Sequence, residues 1–246
     1  MKKALYILFF LFFTLLNASR ACNCSILSTV TYQYQTADFV ASVKILKNYK
    51  NTPESNEYYK SDIEIIELYK GKKVKRISVL GSNGNNMYNS CGTFINVGEI
   101  RLIFGNLEKD GSISTYLCTS YYKPLSVGYE DNKVAQKLRL LKASAKNQRI
   151  SVSNDAALYP YDFKQIYDPE LANNYSIVKV KLDHEGKPLH IKCLTKEQQK
   201  LIKHYKTYFT NEVDWKGRLN RIKVKSGKGI TLFFEINPYR NTKPKN

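Results

Sequence analysis

Short stretches of alternating apolar and polar residues, separated by turn-forming residues, run through the first half of this 246-residue chain. Residues 38–46 (DFVASVKIL) alternate and are rich in β-branched and apolar types, which predicts a strand. Residues 47–58 are polar and contain Pro53 and Asn56, a loop. A second strand is expected over 60–69 (KSDIEIIELY), ended by Lys70-Gly71-Lys72, and a third from Arg76 to Leu80. Gly81 to Asn89 is a loop dense in Gly and Asn. Glu99 to Gly105 and Ile113 to Cys118 read as further strands, with a turn at Lys109-Asp110-Gly111 between them. Short strands punctuated this way point to a small barrel or sandwich. From Asn132 to Lys142 the period changes: Val134, Leu138 and Leu141 share a helical face, with Lys and Arg opposite.

Residues 143–160 are polar and poor in large apolar side chains, as a linker would be. The rest reads as strand (Tyr175–Leu182), turn (Asp183-His184-Glu185-Gly186-Lys187-Pro188), strand (Leu189–Leu194), helix, and strand (Gly229–Ile236). The helix is expected from about Thr195 to Thr210, with Leu201, Tyr205 and Tyr208 or Phe209 at helical spacing. Thr195-Lys196-Glu197-Gln198 matches a capping box. Trp215 is read as a core or edge anchor.

The N-terminus has a different pattern. Lys2 and Lys3 precede an almost wholly apolar run, Leu5 to Leu16, and Ser19-Arg20-Ala21 puts small residues at −3 and −1 of a cut before Cys22. This is the layout of a secretory signal peptide, too short in its apolar run for a comfortable membrane span. An uncleaved anchor and a lipid-modified Cys22 are the alternatives. The expected mature protein is exported, to the periplasm or outside the cell, and has no transmembrane segment after signal removal.

Charge changes this picture little. With 39 Lys and Arg against 21 Asp and Glu the formal net charge is +18, spread evenly between the halves. A nucleic-acid binder concentrates its charge on one face or tail, so no nucleic acid is expected; anionic surfaces stay open as partners. Of five cysteines, Cys22, Cys24, Cys91 and Cys118 lie in the first half and Cys193 stands apart. Export favours closed pairs. Cys22 and Cys24 are too close for an easy mutual bridge, but four cysteines allow three pairings and spacing alone does not choose. Cys193 reads as a small buried residue. The three histidines (His184, His190, His204) have no ligand spacing to a cysteine pair.

Several local features now combine. The expected mature start Cys22-Asn23-Cys24 precedes Ala37-Asp38-Phe39-Val40-Ala41-Ser42-Val43. Tyr69-Lys70-Gly71 follows, then Ser90-Cys91-Gly92, Val97-Gly98-Glu99-Ile100-Arg101-Leu102-Ile103, and Gly111 through Cys118 with Pro124-Leu125 beyond. In order and spacing, residues 22–141 resemble the netrin-like module, and within it the tissue inhibitors of metalloproteinases. The resemblance implies an OB-like five-stranded β-barrel with flanking helices and the disulfides Cys22–Cys91 and Cys24–Cys118. It also implies an inhibitory ridge of Cys22, Asn23, Cys24 and Ser25 beside Tyr88, Asn89, Ser90 and Cys91. There the Cys22 α-amine, with a pKa near 8, and the Cys22 carbonyl would chelate a target protease's zinc. The animal inhibitors' third disulfide in this domain and their cysteine-rich second domain have no counterpart here.

Residues 155–238 resemble, more weakly, the C-terminal domain of TonB-type energy transducers. Tyr175-Ser176-Ile177-Val178-Lys179-Val180, Asp183-His184-Glu185-Gly186-Lys187-Pro188, the helix, Trp215 and the strand to Ile236 carry this. It implies peptide binding by main-chain pairing at a sheet edge. Hydrolase elbows, His-Glu-x-x-His and phosphate-binding glycine loops are absent from the sequence.

The fold expected is therefore mostly β with α. A signal peptide (1–21) precedes an OB-like barrel domain (22–142), a linker (143–160) and a small α+β domain (161–240). The function expected is non-catalytic protein binding, without cofactor and without metal in the free protein. In one alternative the chain is a metalloprotease inhibitor with a zinc metalloprotease as partner; in another it is an envelope transport-complex component whose second domain binds a peptide of an envelope protein at a sheet edge.

Overall fold

The computed structural model describes residues 29–51, 57–83, 91–121, 129–145, 150–152, 176–183, 185–195, 199, 201–211, 213–220, 222–224 and 230–236. The chain is mostly strands with some helices. Five strands close on themselves: β1 (Phe39–Asn48), β2 (Tyr58–Lys70), β3 (Arg76–Leu80), β4 (Ile100–Leu107) and β5 (Ile113–Thr115). Their order is β1-β2-β3-β5-β4, and β1 pairs again with β4. All pairs are antiparallel except β3 with β5. The result is a closed five-stranded mixed barrel, with β6 (Ser120–Tyr121) added on β4.

Closure requires strong bending, and β1 supplies it. Its register with β2 shifts between Val40 and Ala41, between Ser42 and Val43, and between Ile45 and Lys47. Such bulges increase local twist and curl a sheet. Phe39 to Val43 are buried on both faces of β1. Phe39, Ala41, Val43 and Ile45 point inward with Tyr59, Ile77, Val79, Ile95 and Ile103. Val40 points outward, into a second layer with Tyr34, Tyr69, Leu102, Phe104, Leu138 and Leu141.

Two helices make that outer layer. One was not legible in the sequence pattern: α1 (Val30–Thr36), capped where the Thr29 hydroxyl accepts from the Tyr32 N–H at 3.1 Å. The other is α2 (Tyr129–Ser144), which contains the helix expected over 132–142. The strand expected over Ile113 to Cys118 stops at Thr115. Thr119 closes a turn there, donating N–H to Tyr116 O at 2.9 Å and accepting the Tyr116 N–H on Oγ1 at 3.0 Å.

The second half forms a three-stranded antiparallel sheet, β11-β8-β9, from β8 (Ser176–Leu182), β9 (Pro188–Cys193) and β11 (Thr231–Ile236). One face carries Val178, Val180, Leu182, Ile191, Cys193, Leu232 and Phe234, packed on α3 (Ile202–Asn211) and α4 (Trp215–Leu219). Trp215 is a core residue, its Nε1 donating to Phe209 O at 2.7 Å. The described helix α3 lies within the expected span; residues 196–198 of the expected capping box lie outside the described residues. Within the expected linker, Ile150–Val152 is a strand, β7, paired with β10 (Ile222–Val224).

The two halves share packing. Ile177 and Phe233, on the other face of the second sheet, are buried in the cluster that holds Tyr34, Leu138 and Leu141. Lys137 of α2 forms an ion pair with Glu235 of β11, which also accepts from the Thr31 hydroxyl at 3.1 Å.

Candidate functional site at the cysteine end of the barrel

Of the expected ridge, Cys22, Asn23, Cys24, Ser25, Tyr88, Asn89 and Ser90 lie outside the described residues, as do the expected signal peptide and cleavage site. Cys91 and Cys118 are described. Both are disulfide-bonded, and the Cys91 carbonyl accepts the Leu117 N–H at 3.1 Å, so the two cysteine segments are neighbours. The expected partners, Cys22 and Cys24, fall among the undescribed residues. Cys193 is buried, as read from sequence; its Sγ lies 3.2 Å from Thr195 Oγ1.

The segment after Cys91 is fixed to the barrel at Thr93, Ile95 and Gly98. Thr93 N–H donates to Leu80 O at 2.8 Å, and Ile95 N–H donates to the Tyr59 hydroxyl at 2.9 Å. Asn48 Nδ2 donates to Ile95 O at 2.7 Å, and Gly98 N–H to Ile45 O at 2.8 Å. Burial pushes the Tyr59 hydroxyl up to about 12, against the opposing effect of the Ile95 hydrogen bond. It therefore stays a neutral anchor at physiological pH. Ile95 is fully buried inside the barrel, while Phe94 and Val97 on either side are exposed. Exposed Leu117 stands beside Cys91 through the Leu117–Cys91 bond. This end thus presents apolar side chains on a backbone that cannot easily move.

Helix α1 brings the N-terminal side to the same place. Gln33 Nε2 donates to Cys118 O at 3.3 Å. The far end of α1 is held by Tyr69-Lys70-Gly71. The Tyr34 hydroxyl donates to Tyr69 O at 3.2 Å. Lys70, almost fully buried, donates from Nζ to Tyr34 O at 2.7 Å and Gln35 O at 3.2 Å, where the helix leaves carbonyls unpaired. Gly71 has φ +88°, and a Cβ there would lie 2.6 Å from Asp38 O. Only glycine fits that turn without strain. The sequence motif is thus a clamp on the helix that follows the expected N-terminus.

The acids near this clamp are occupied. Glu67 accepts from Arg139 at 3.0 and 2.8 Å and from the Tyr69 hydroxyl at 2.9 Å. The Arg139 bonds hold the Glu67 carboxyl below its usual range. Among the described residues no group of three or more His, Cys, Asp or Glu could hold a metal ion. No described helix is long and apolar enough to cross a membrane. The arrangement is chemically a rigid platform with hydrophobic and backbone groups to offer.

No protein-family model matches the chain, and no curated protein matches its sequence.

Proposed function

We propose that this chain is an exported, non-catalytic protein-binding protein whose barrel is OB-like. It would engage its partner through the end of the barrel where Cys91 and Cys118 meet. The observation carrying this reading is the fixation of that end. Two disulfide-bonded cysteines are joined by the Leu117–Cys91 hydrogen bond, beside exposed Phe94, Val97 and Leu117. Segments ordered beforehand bind with less conformational entropy to lose. Support for an OB-like barrel comes from the strand order and from the single parallel pair, β3 with β5.

A second reading, metalloprotease inhibition, is favoured by α1. The helix begins soon after the expected Cys22-Asn23-Cys24 terminus and bonds Cys118 through Gln33. A terminus held this way could present the Cys22 amine and carbonyl to the open position of a catalytic zinc.

N-terminal sequencing of the exported protein, followed by zinc-protease assays with and without an added Ala before Cys22, tests both readings. A free Cys22 start with inhibition abolished by the extension supports the inhibitor. Partner capture unaffected by the extension supports protein binding alone. An acylated or extended natural start removes the inhibitor reading. Capture that survives Phe94→Ser with Leu117→Ser overturns the barrel-end site.

A further inference from the structure

The face of the second sheet opposite its core is built in rows, and the rows differ in what covers them. Cross-strand register places Glu235, Ile177 and Leu194 in one row, Phe233, Lys179 and Lys192 in the next, and Thr231, Lys181 and His190 in the third. The first row is covered: Ile177 is buried, Leu194 is partly buried against the same cluster, and Glu235 is paired with Lys137. In the second row Phe233 is buried too. Lys179 is only partly exposed, donating from Nζ to Ser144 O at 2.9 Å, at the C-terminal end of α2. Lys192, Lys181 and His190 are exposed. The barrel half and α2 therefore cover one end of this face and leave the other end open.

The open end is basic by construction. Lys179 stands directly opposite Lys192, and Lys181 directly opposite His190. Side chains so placed are about 5 Å apart at Cβ, and the like charges of Lys179 and Lys192 destabilise that pair. No described carboxylate pairs with Lys181, His190 or Lys192. Asp183, the acid nearest along β8, instead accepts the Glu185 and Lys187 N–H groups with Oδ1. No described carboxylate offsets Lys181 or Lys192, and a ligand with matched negative charge would.

We propose that this half-open sheet face docks an acidic, extended polypeptide segment of a partner protein. This rests on the protein-binding reading above and adds a second contact surface to it. A polypeptide is favoured because the open area is narrow, two strands wide and bounded by the end of α2. An extended chain carrying a carboxylate at every second residue meets that spacing, with side chains on one face recurring every 6–7 Å or so. A planar membrane would have to approach past the helix end.

The test is fluorescence anisotropy of the exported full chain with a fluorescein-labelled alternating Glu–Thr peptide. Binding is expected to weaken with added salt. It is expected to fall about tenfold in a K181Q/H190Q/K192Q variant, from the summed loss of individually small ion contacts. The exposed barrel variant K72Q/K73Q should bind as the unaltered protein does. The charge-reversed K181E/K192E variant should instead take up an alternating Lys–Thr peptide, which keeps the test decisive if the triple variant folds poorly. Equal peptide binding by all variants overturns the proposal. Preference for phosphatidylglycerol vesicles or a sulfated polysaccharide over the peptide also overturns it. So does self-association of the variants with peptide binding intact, since the lysines would then only protect a sheet edge. The Cys22-extension assay reads a different surface, so failure here leaves the barrel-end reading standing.

Discussion

The side-chain amide of Gln35 bonds both backbone groups of Phe233. Nε2 donates to Phe233 O at 2.7 Å, and Oε1 accepts the Phe233 N–H at 2.7 Å. Phe233 lies on β11, an edge of its sheet, and points these groups away from β8. One side chain of α1 therefore does at Phe233 what a neighbouring strand would do. Peptide addition at that edge would have to displace it.

Replacing Gln35 by Leu leaves two buried backbone groups without partners, each costing about 1–3 kcal/mol. Urea unfolding is expected to show a loss of about 2–4 kcal/mol. Amide exchange at Phe233 is expected to accelerate relative to Phe234, whose N–H faces β8.

Gly71→Ala is expected to destabilise by about 1–3 kcal/mol, because a left-handed backbone and the contact with Asp38 O both oppose a Cβ. The midpoint of thermal unfolding should fall. The same substitution at Gly111, where φ is also positive but nothing lies within 4 Å of the added carbon, should cost less.

Glu67 gives a pH dependence with a definite sign. Its carboxyl is held low first by the Arg139 bonds, against burial, with help from the Tyr69 hydroxyl. A lowered folded-state value means the stabilisation is complete above the unfolded value, about 4.3. It is lost as pH falls through the lower folded value. Glu67→Gln should flatten the stability curve in that acidic range and leave the curve near neutrality parallel to that of the unaltered protein.

Reduction should destabilise the barrel, since Cys91 and Cys118 are disulfide-bonded and a bridge constrains the unfolded chain by about 2–4 kcal/mol. Thermal unfolding with and without reductant measures this. Peptide mapping without reduction is expected to recover Cys22 with Cys91 and Cys24 with Cys118.

The strands and cores of both halves were legible because their alternation is strong. Val79, Ile103, Val180 and Phe234, all in expected strands, fall inside, and Cys193 is buried as its apolar setting suggested. Helix α1 was not. Its segment, Val30-Thr31-Tyr32-Gln33-Tyr34-Gln35-Thr36, has β-branched and aromatic residues with no helical apolar stripe. Burial of Thr31, Gln33, Tyr34 and Gln35 together, with Lys70 on its last carbonyls, overrides that weak propensity. Strand β7 was hidden for a related reason: three residues are too few for a period to show, and its partner β10 is more than sixty positions away. At the candidate site the cysteines were visible, but the clamp meaning of Tyr69-Lys70-Gly71 depends on which carbonyls Lys70 reaches.

The ion-paired corner where Thr31 meets Glu235 joins residues 204 positions apart. During synthesis α1 must wait for β11, 204 positions later, before this partner exists. Contacts of such sequence separation form late and slowly. A chain that leaves the ribosome before β11, or is threaded through a membrane from its N-terminus, would therefore remain open along this seam until β11 arrives. Completion of the seam marks the moment when β11 has been delivered.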